Sequence, residues 1–434
     1  MACGHSFPVI HGIFHFFYQL ALPLVFLAAF PGWVVKMIRR GGFGTRLAER
    51  VAWYGGPADY EPCGAVHLHA ISVGECMLAL KLIRVWRELL PDQAFVIAVG
   101  TATGHAVAAE ARIPGLRVTY APLDFSIMVR RYLKRFEPER VVLIEGEIWP
   151  NLMRKCTGRG VPVSLVNARM SPRSARRLEK AAWLARPYYS LLSLVALQFD
   201  RDRGIWEKLG VSPEKIAMTG SLKFDPGPDI PRRRPEFSAL LDQFGNRPVV
   251  LAASTHAGEE AWLAEQIHKA IPEALPVIVP RHAERRSEVR AELERAGFSV
   301  VMRSAPALPA GGKEAFVIDT TGELRDWTAH ADIVIIGKSF MAHGGQNPAE
   351  AILADKPLIF GPHMENFEPL ADDLVKAGGA TRASDADELI AALHALQDDA
   401  VRRTQVDRAR QQLANHAGAA ERIVKLVRSS GDVG

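Results

Sequence analysis

Hydrophobic and polar positions change rhythm along this chain. An apolar stretch runs from about Ile13 to Val35, and no Lys, Arg, Asp or Glu precedes Lys36. That length suits a segment that crosses a bilayer or lies deep in one leaflet. After residue 60 the pattern becomes short β-branched runs separated by helical spacing. The runs Val66–Ala70, Phe95–Val99, Arg117–Tyr120, Val141–Ile144, Val163–Val166 and Leu194–Leu197 predict one set of strands. A second set is predicted at Val249–Ala253, Val277–Val279, Ser299–Met302, Phe316–Ile318, Ile333–Ile336 and Leu358–Phe360. Helical patterns such as Glu75–Leu90 and Glu259–Ala270 lie between them. Alternating β and α with buried strands predicts an α/β protein with doubly wound parallel sheets. Two series predict two Rossmann-like domains facing a cleft, with ligands at the carboxyl ends of the strands. The Pro- and charge-rich stretch at Phe224–Arg234 reads as a connection. The expected boundaries are an anchor at 1–40, a first domain at 41–223, a linker at 224–246 and a second domain at 247–434.

Charge orients the apolar segment. A secretory signal carries its positive charge before the apolar region. Here Lys36, Arg39, Arg40 and Arg46 follow it. The positive-inside rule then places the body of the chain in the cytoplasm. Pro23, Pro31 and Gly32 weaken a straight spanning helix, so a half-inserted anchor stays open beside a spanning one. The chain as a whole is net +5. The excess is concentrated: Lys36–Arg50 holds five basic and one acidic residue, and Ser126–Arg186 holds fourteen basic and five acidic. Such patches suit anionic lipid or phosphate groups, or are simply solvated helix faces. They lack the interleaved aromatic motifs of a nucleic-acid reader, so no nucleic-acid partner is expected.

Composition narrows the class. With 434 residues, 48% hydrophobic and 23% charged, the chain can bury two cores and is neither disordered nor collagen-like. The four cysteines, Cys3, Cys63, Cys76 and Cys156, form no C-x-x-C pair. Reduced thiols are expected, not a zinc ribbon. There is no Walker A lysine, no G-x-G-x-x-G, no H-E-x-x-H and no G-x-S-x-G. The D-x-D triplets at Asp200/Asp202 and Asp385/Asp387 read as helix-flanking acids. No metal is expected.

Unusual clusters follow the predicted strands. In HLHAISVGE, Glu75 sits at a helix start, either as the second half of a capping box with Ser72 or as a general base facing a cleft. In IEGEIWPN, Glu145 and Glu147 emerge from a buried strand, to pair with nearby arginines or to act on a ligand. Asn167, Arg169, Ser171 and Ser174 follow the next strand and would add donors to that rim. Lys223 stands where the first domain meets the connection, exposed or turned toward a ligand. Ser254 and Thr255 follow a strand and open a helix, as caps or as phosphate ligands. Arg281 and His282 follow the next strand, with Arg281 suited to a phosphate. Thr321, Gly322 and Glu323 form a turn, and Gly344 and Gly345 permit close backbone approach to a ligand. Asn347, Pro348, Ala349 and Glu350 make a helix start, with capping as their sole role or with Glu350 accepting from ribose hydroxyls.

These clusters, in this order, resemble the Kdo (3-deoxy-D-manno-oct-2-ulosonic acid) transferases of lipopolysaccharide synthesis, over most of the chain through GPHMENF at 361–367. The resemblance implies a GT-B glycosyltransferase at the cytoplasmic side of a bacterial inner membrane, transferring Kdo with inversion from CMP-Kdo to a phosphorylated lipid A precursor. It implies no cofactor beyond the donor substrate. It implies Glu75 as base, Glu145 or Glu147 and Lys223 as transition-state stabilisers, and Arg281–His282, Thr321–Glu323 and Asn347–Glu350 as CMP-binding segments. Gln346 stands where the family usually has His, Lys338 where it has Gly, and Gly146 where it has Thr. The alternatives are another GT-B enzyme using a different nucleotide sugar on a lipid-linked acceptor, a silent membrane-anchored scaffold, and a sugar-nucleotide epimerase.

Overall fold

A computed structural model describes residues 7–39, 46–54, 64–225, 231–306 and 311–430. Cys3, Cys63 and Arg40, and the part of the expected linker at 226–230, lie outside the described residues. The chain forms two compact units, one of residues 1–225 with 418–434 and one of residues 226–417.

The first unit is built on a seven-stranded, wholly parallel sheet. Its strands are β1 (Val66–Ala70), β2 (Phe95–Val99), β3 (Leu116–Tyr120), β4 (Arg140–Ile144), β5 (Val163–Ala168), β6 (Leu194–Leu197) and β7 (Ile216–Met218), in the order β3-β2-β1-β4-β5-β6-β7. The order reverses between β1 and β4, which pair directly from Val66 opposite Arg140 to His69 opposite Leu143. The central strands are buried end to end, as a sheet covered on both faces requires. One face packs against the helix Val73–Leu89 through Leu80, Ile83 and Trp86, and the other against Ser126–Phe136 through Tyr132 and Phe136.

The second unit repeats the plan. Its strands are β8 (Val249–Thr255), β9 (Leu275–Pro280), β10 (Ser299–Met302), β11 (Glu314–Val317), β12 (Ile333–Ile336), β13 (Leu358–Phe360) and β14 (Thr381–Arg382), in the order β10-β11-β9-β8-β12-β13-β14. Here the chain reverses direction across the sheet between β8 and β12.

Two differences from expectation have physical causes. β7 and β14 escape the hydrophobic pattern because they are edge strands of three and two residues, too short to make a recognisable run. The expected second domain ran to residue 434, but the helix Ala419–Ser429 belongs to the first unit. Ala420, Ile423, Val424 and Val427 enter that unit's core. Asp225 caps this helix, accepting from Gly418 N–H at 3.1 Å and Ala420 N–H at 2.9 Å, and Arg140 donates to the Val427 carbonyl. The connection also carries a helix of its own, Pro235–Asp242, with Phe237 stacked on Trp327 at 4.0 Å.

The N-terminal segment is a single helix, Phe7–Arg39, continuous through Pro23 and Pro31. Its stretch Phe14–Gly32 is long and apolar enough to cross a membrane and is not buried in the protein. One face touches the first unit: His15 meets the Tyr188 hydroxyl at 3.3 Å, Tyr18 donates to Asp124 at 2.9 Å, and Gln19 bonds Asn151. Phe14 packs edge-on to Trp183 at 4.7 Å and Phe26 to Phe125 at 5.6 Å. Phe16, Phe17, Leu20, Leu24 and Leu27 remain exposed.

Candidate functional sites in the two units

In the first unit the sheet's reversal point gathers the charged residues. The helix after β1 begins with a capping box: Glu75 N–H donates to Ser72 Oγ at 3.2 Å. The Glu75 carboxylate in turn accepts from Ser72 Oγ–H and from Ile71 N–H, both at 2.8 Å. Capping is therefore real, and it also fixes the orientation of a half-buried carboxylate at a strand's carboxyl end.

The loop after β4 separates its two acids. Glu145 holds a left-handed backbone at φ 68° and takes the Arg169 guanidinium on one oxygen, with Nε at 3.1 Å and Nη2 at 3.0 Å. Glu147 makes no such pair among the described residues. Desolvation raises its pKa, and the negative charge of Glu75 raises it further, so these two carboxylates feel each other across the β1/β4 boundary. Lys223 lies within reach of the Glu145–Arg169 pair. Desolvation and the Arg169 charge lower its pKa, while Glu145 pulls it back up. The loop after β4 therefore links the Glu75–Glu147 pair to Glu145 and its cationic neighbours Arg169 and Lys223, a setting suited to taking a proton and steadying negative charge.

Asn167 holds Lys223's loop. It is wholly buried, and its Oδ1 accepts from Leu222 N–H at 2.8 Å. Lys81 grips the same loop through the Leu222 and Asp225 carbonyls. Ser171 caps the next helix and adds nothing to the cluster.

In the second unit a cavity of about 200 Å³ opens at the carboxyl ends of β8 and β12, lined by Ser254, Arg281, Gln346, Asn347 and Glu350 over an apolar floor. The Glu350 carboxylate accepts no hydrogen bond among the described residues. Desolvation raises its pKa, opposed by the charges of Arg325 and Arg281. Asn347 Oδ1 accepts from Ala349 N–H at 3.1 Å, a turn that leads into the short helix Ala349–Leu353, and the residue lines the cavity.

Several expected ligands are otherwise engaged. Thr255 is fully buried and gives its hydroxyl to Glu260 at 3.1 Å, which also binds Arg285 at 2.8 Å. Glu323 accepts from Thr320 Oγ, Trp327 Nε1 and Arg303, bracing the start of the helix Leu324–His330. Thr321 and Gly322 lie on an exposed turn outside the cavity lining, where Leu324 and Thr328 take their place. His282 is exposed beside Glu284. Gly344 and Gly345 serve the packing of the chain on itself: a Cβ on Gly345 would lie 2.5 Å from Met364 Sδ. Pro348 and Ala349 are buried behind the cavity wall.

Glu259 was not anticipated. It is fully buried, and its carboxylate accepts from five backbone N–H groups: His256 at 3.0 Å, Lys338 at 2.6 Å, Ser339 and Phe340 at 3.1 Å, and Met341 at 3.4 Å. It clamps the loop after β12 to the loop after β8. In sequence it is an ordinary first-turn acid. The one signal was Gly337, where a Cβ would stand 2.7 Å from the Ser254 carbonyl, so the two loops must touch.

Two Rossmann-like sheets of this order make the GT-B fold. The fold matches the solved glycosyltransferase of kitacinnamycin, with a TM-score of 0.52 at 14% identity over 85% of this chain and 99% of that one. Residues 45–226 match the family model described as 3-deoxy-D-manno-octulosonic-acid transferase (kdotransferase). The 3-deoxy-D-manno-octulosonic acid transferase of Bordetella pertussis is 36% identical over 94% of this chain and 97% of its own length. That of Haemophilus influenzae is 31% identical over 88% and 91%. The chain belongs to the 3-deoxy-D-manno-octulosonic acid (Kdo) transferase family and is a glycosyltransferase.

Proposed function

We propose that the chain moves Kdo from CMP-Kdo to a phosphorylated lipid A precursor, with inversion, at the cytoplasmic face of a bacterial inner membrane. Glu75 takes the proton of the acceptor hydroxyl as its oxygen bonds to the anomeric carbon of Kdo. The bond from that carbon to the CMP phosphate breaks, and the electron pair leaves with CMP. The observation that carries this reading is the fixed Glu75 carboxylate beside Glu147 at the reversal point of the first sheet. The Glu75 and Glu147 carboxylates keep the local field negative, which favours an oxocarbenium-like centre. The pairing of Glu145 with Arg169 assigns it to positioning, and Lys223 supplies positive charge. In the second unit, Arg281 and the helix start at Asn347 face the nucleotide phosphate, and Glu350 accepts from ribose.

The acceptor is an anionic glycolipid, and the first unit suits it. Arg130, Arg154 and Arg159 are exposed and crowd Lys155, whose pKa falls through desolvation and then through their charges. The N-terminal helix lies along the body rather than crossing the bilayer. Its contacts from Phe14 to Phe26 occupy about 18 Å of helix. The rest, Leu27–Arg39, reaches about 20 Å, short of the roughly 30 Å hydrocarbon core. The exposed Phe16, Phe17, Leu20 and Leu24, with Ile127 and Trp183 of the body, form the lipid-facing side.

The test is turnover by detergent-solubilised protein on CMP-Kdo and a bis-phosphorylated lipid A precursor, with products read by mass. Added Kdo units that vanish in Glu75→Ala support the reading. Full transfer by Glu75→Ala removes Glu75 as the base.

A further inference from the structure

We infer that His343, His363 and Glu365 form a binding site for a late first-row divalent cation of the zinc type, on the loops after β12 and β13 of the second unit. One nitrogen or oxygen from each residue lies within 4.8 Å of the others. Both imidazoles aim Nδ1 at the same carboxylate oxygen: His343 at 2.9 Å and His363 at 3.3 Å from Glu365 Oε1. Neighbouring ligands of a tetrahedral zinc ion stand about 3.4 Å apart when the bonds are about 2.1 Å. His343 and Glu365 are exposed and His363 half-buried, and small side-chain rotations reach that geometry. Two nitrogens and a carboxylate are a donor set such cations favour over magnesium, which prefers oxygen alone.

The backbone around the three residues is held in advance. Gly344 N–H donates to the second Glu365 oxygen at 2.6 Å, leaving Oε1 turned to the histidines. His363 N–H donates to Ser339 O at 3.0 Å, and Asn366 N–H to Gly344 O at 3.1 Å, so the two loops are joined on either side of the site. The imidazole rings stand 4.0 Å apart, a spacing that two imidazolium charges oppose and a shared cation favours. A fourth position faces solvent, open to water or an anion. The cation ties down the loop that leads through Gly344 and Gly345 to Gln346 and Asn347 of the cavity.

The test uses the full chain in detergent, stripped by chelator and dialysed. Cobalt(II) is titrated by its visible absorption, then displaced by zinc, with magnesium as the control. One cobalt per chain is expected, displaced by zinc and untouched by millimolar magnesium. His343→Ala and Glu365→Gln are each expected to weaken it at least 10-fold. His343 is 78% exposed, so its loss leaves the fold intact, and an unchanged metal-free melting temperature confirms this. Zinc is expected to raise the melting temperature of the parent and not of the variants. No stoichiometric cobalt site in the parent, or one kept in both variants, overturns the proposal.

Discussion

Glu259→Gln gives the most direct access to how the second unit builds its cavity. The carboxylate is fully buried and divides five backbone donors between two oxygens, two on one and three on the other. A carboxamide has the same shape but one acceptor. Whichever way it turns, at least two N–H groups face an NH2. A hydrogen bond to a charged group contributes about 1.5–3 kcal/mol, and a buried orphan donor costs about 1–3 kcal/mol. Partial relaxation of the loop reduces the sum, so a loss of about 3 kcal/mol is expected. For a unit of this size that lowers the melting temperature by roughly 6–12 °C. The freed loop is Lys338–Met341, which leads to Gln346 and Asn347, so CMP affinity should fall with it. Thermal melts followed by circular dichroism, with calorimetric titration of CMP, read both effects. A variant that melts within about 2 °C of the parent and binds CMP unchanged refutes the clamp.

Two other outcomes follow from the first unit. Burial raises the Asp124 carboxyl to about 6, above its ordinary 3.8, so the folded state binds this proton more tightly than the unfolded state does. Stability therefore falls by up to about 3 kcal/mol as pH rises from about 4 to about 6, and Asp124→Asn should flatten that part of a melting-temperature profile. Replacing Leu20 and Leu24 together by Lys puts two charges on the exposed side of the N-terminal helix. It should shift the protein from the membrane pellet to the supernatant in vesicle sedimentation, with melting temperature unchanged, and full retention in the pellet contradicts the in-plane helix.

The parallel sheets were legible because their inner strands are continuous apolar runs, as at Phe95–Val99 and Ile333–Ile336. β14, two half-buried residues at a sheet edge, carries no such run. The helix Ala419–Ser429 was visible as a helix, but its membership of the first unit depends on Asp225 and Arg140, far away in the chain. The placement of Glu75 after a strand, in a capping box at a helix start, could be read from the sequence. The different environments of Glu145 and Glu147 could not, since only the fold brings Arg169 to one and Glu75 to the other. Thr255 and Glu323 have the residue types of ligands, yet they spend their polar atoms on Glu260 and on Thr320, Trp327 and Arg303. Sequence shows which groups are available for bonding and leaves unsaid which are already bonded.

The central claim is that Glu75 is the base, and Glu75→Gln isolates it. The carboxamide oxygen can still accept from Ser72 or Ile71, so most of the cap survives while proton acceptance is lost. Transfer from CMP-Kdo to the lipid A precursor, measured by mass under single-turnover conditions, should fall by roughly 100-fold or more, with CMP affinity and melting temperature close to the parent's. Transfer at the parent rate in Glu75→Gln would contradict the account.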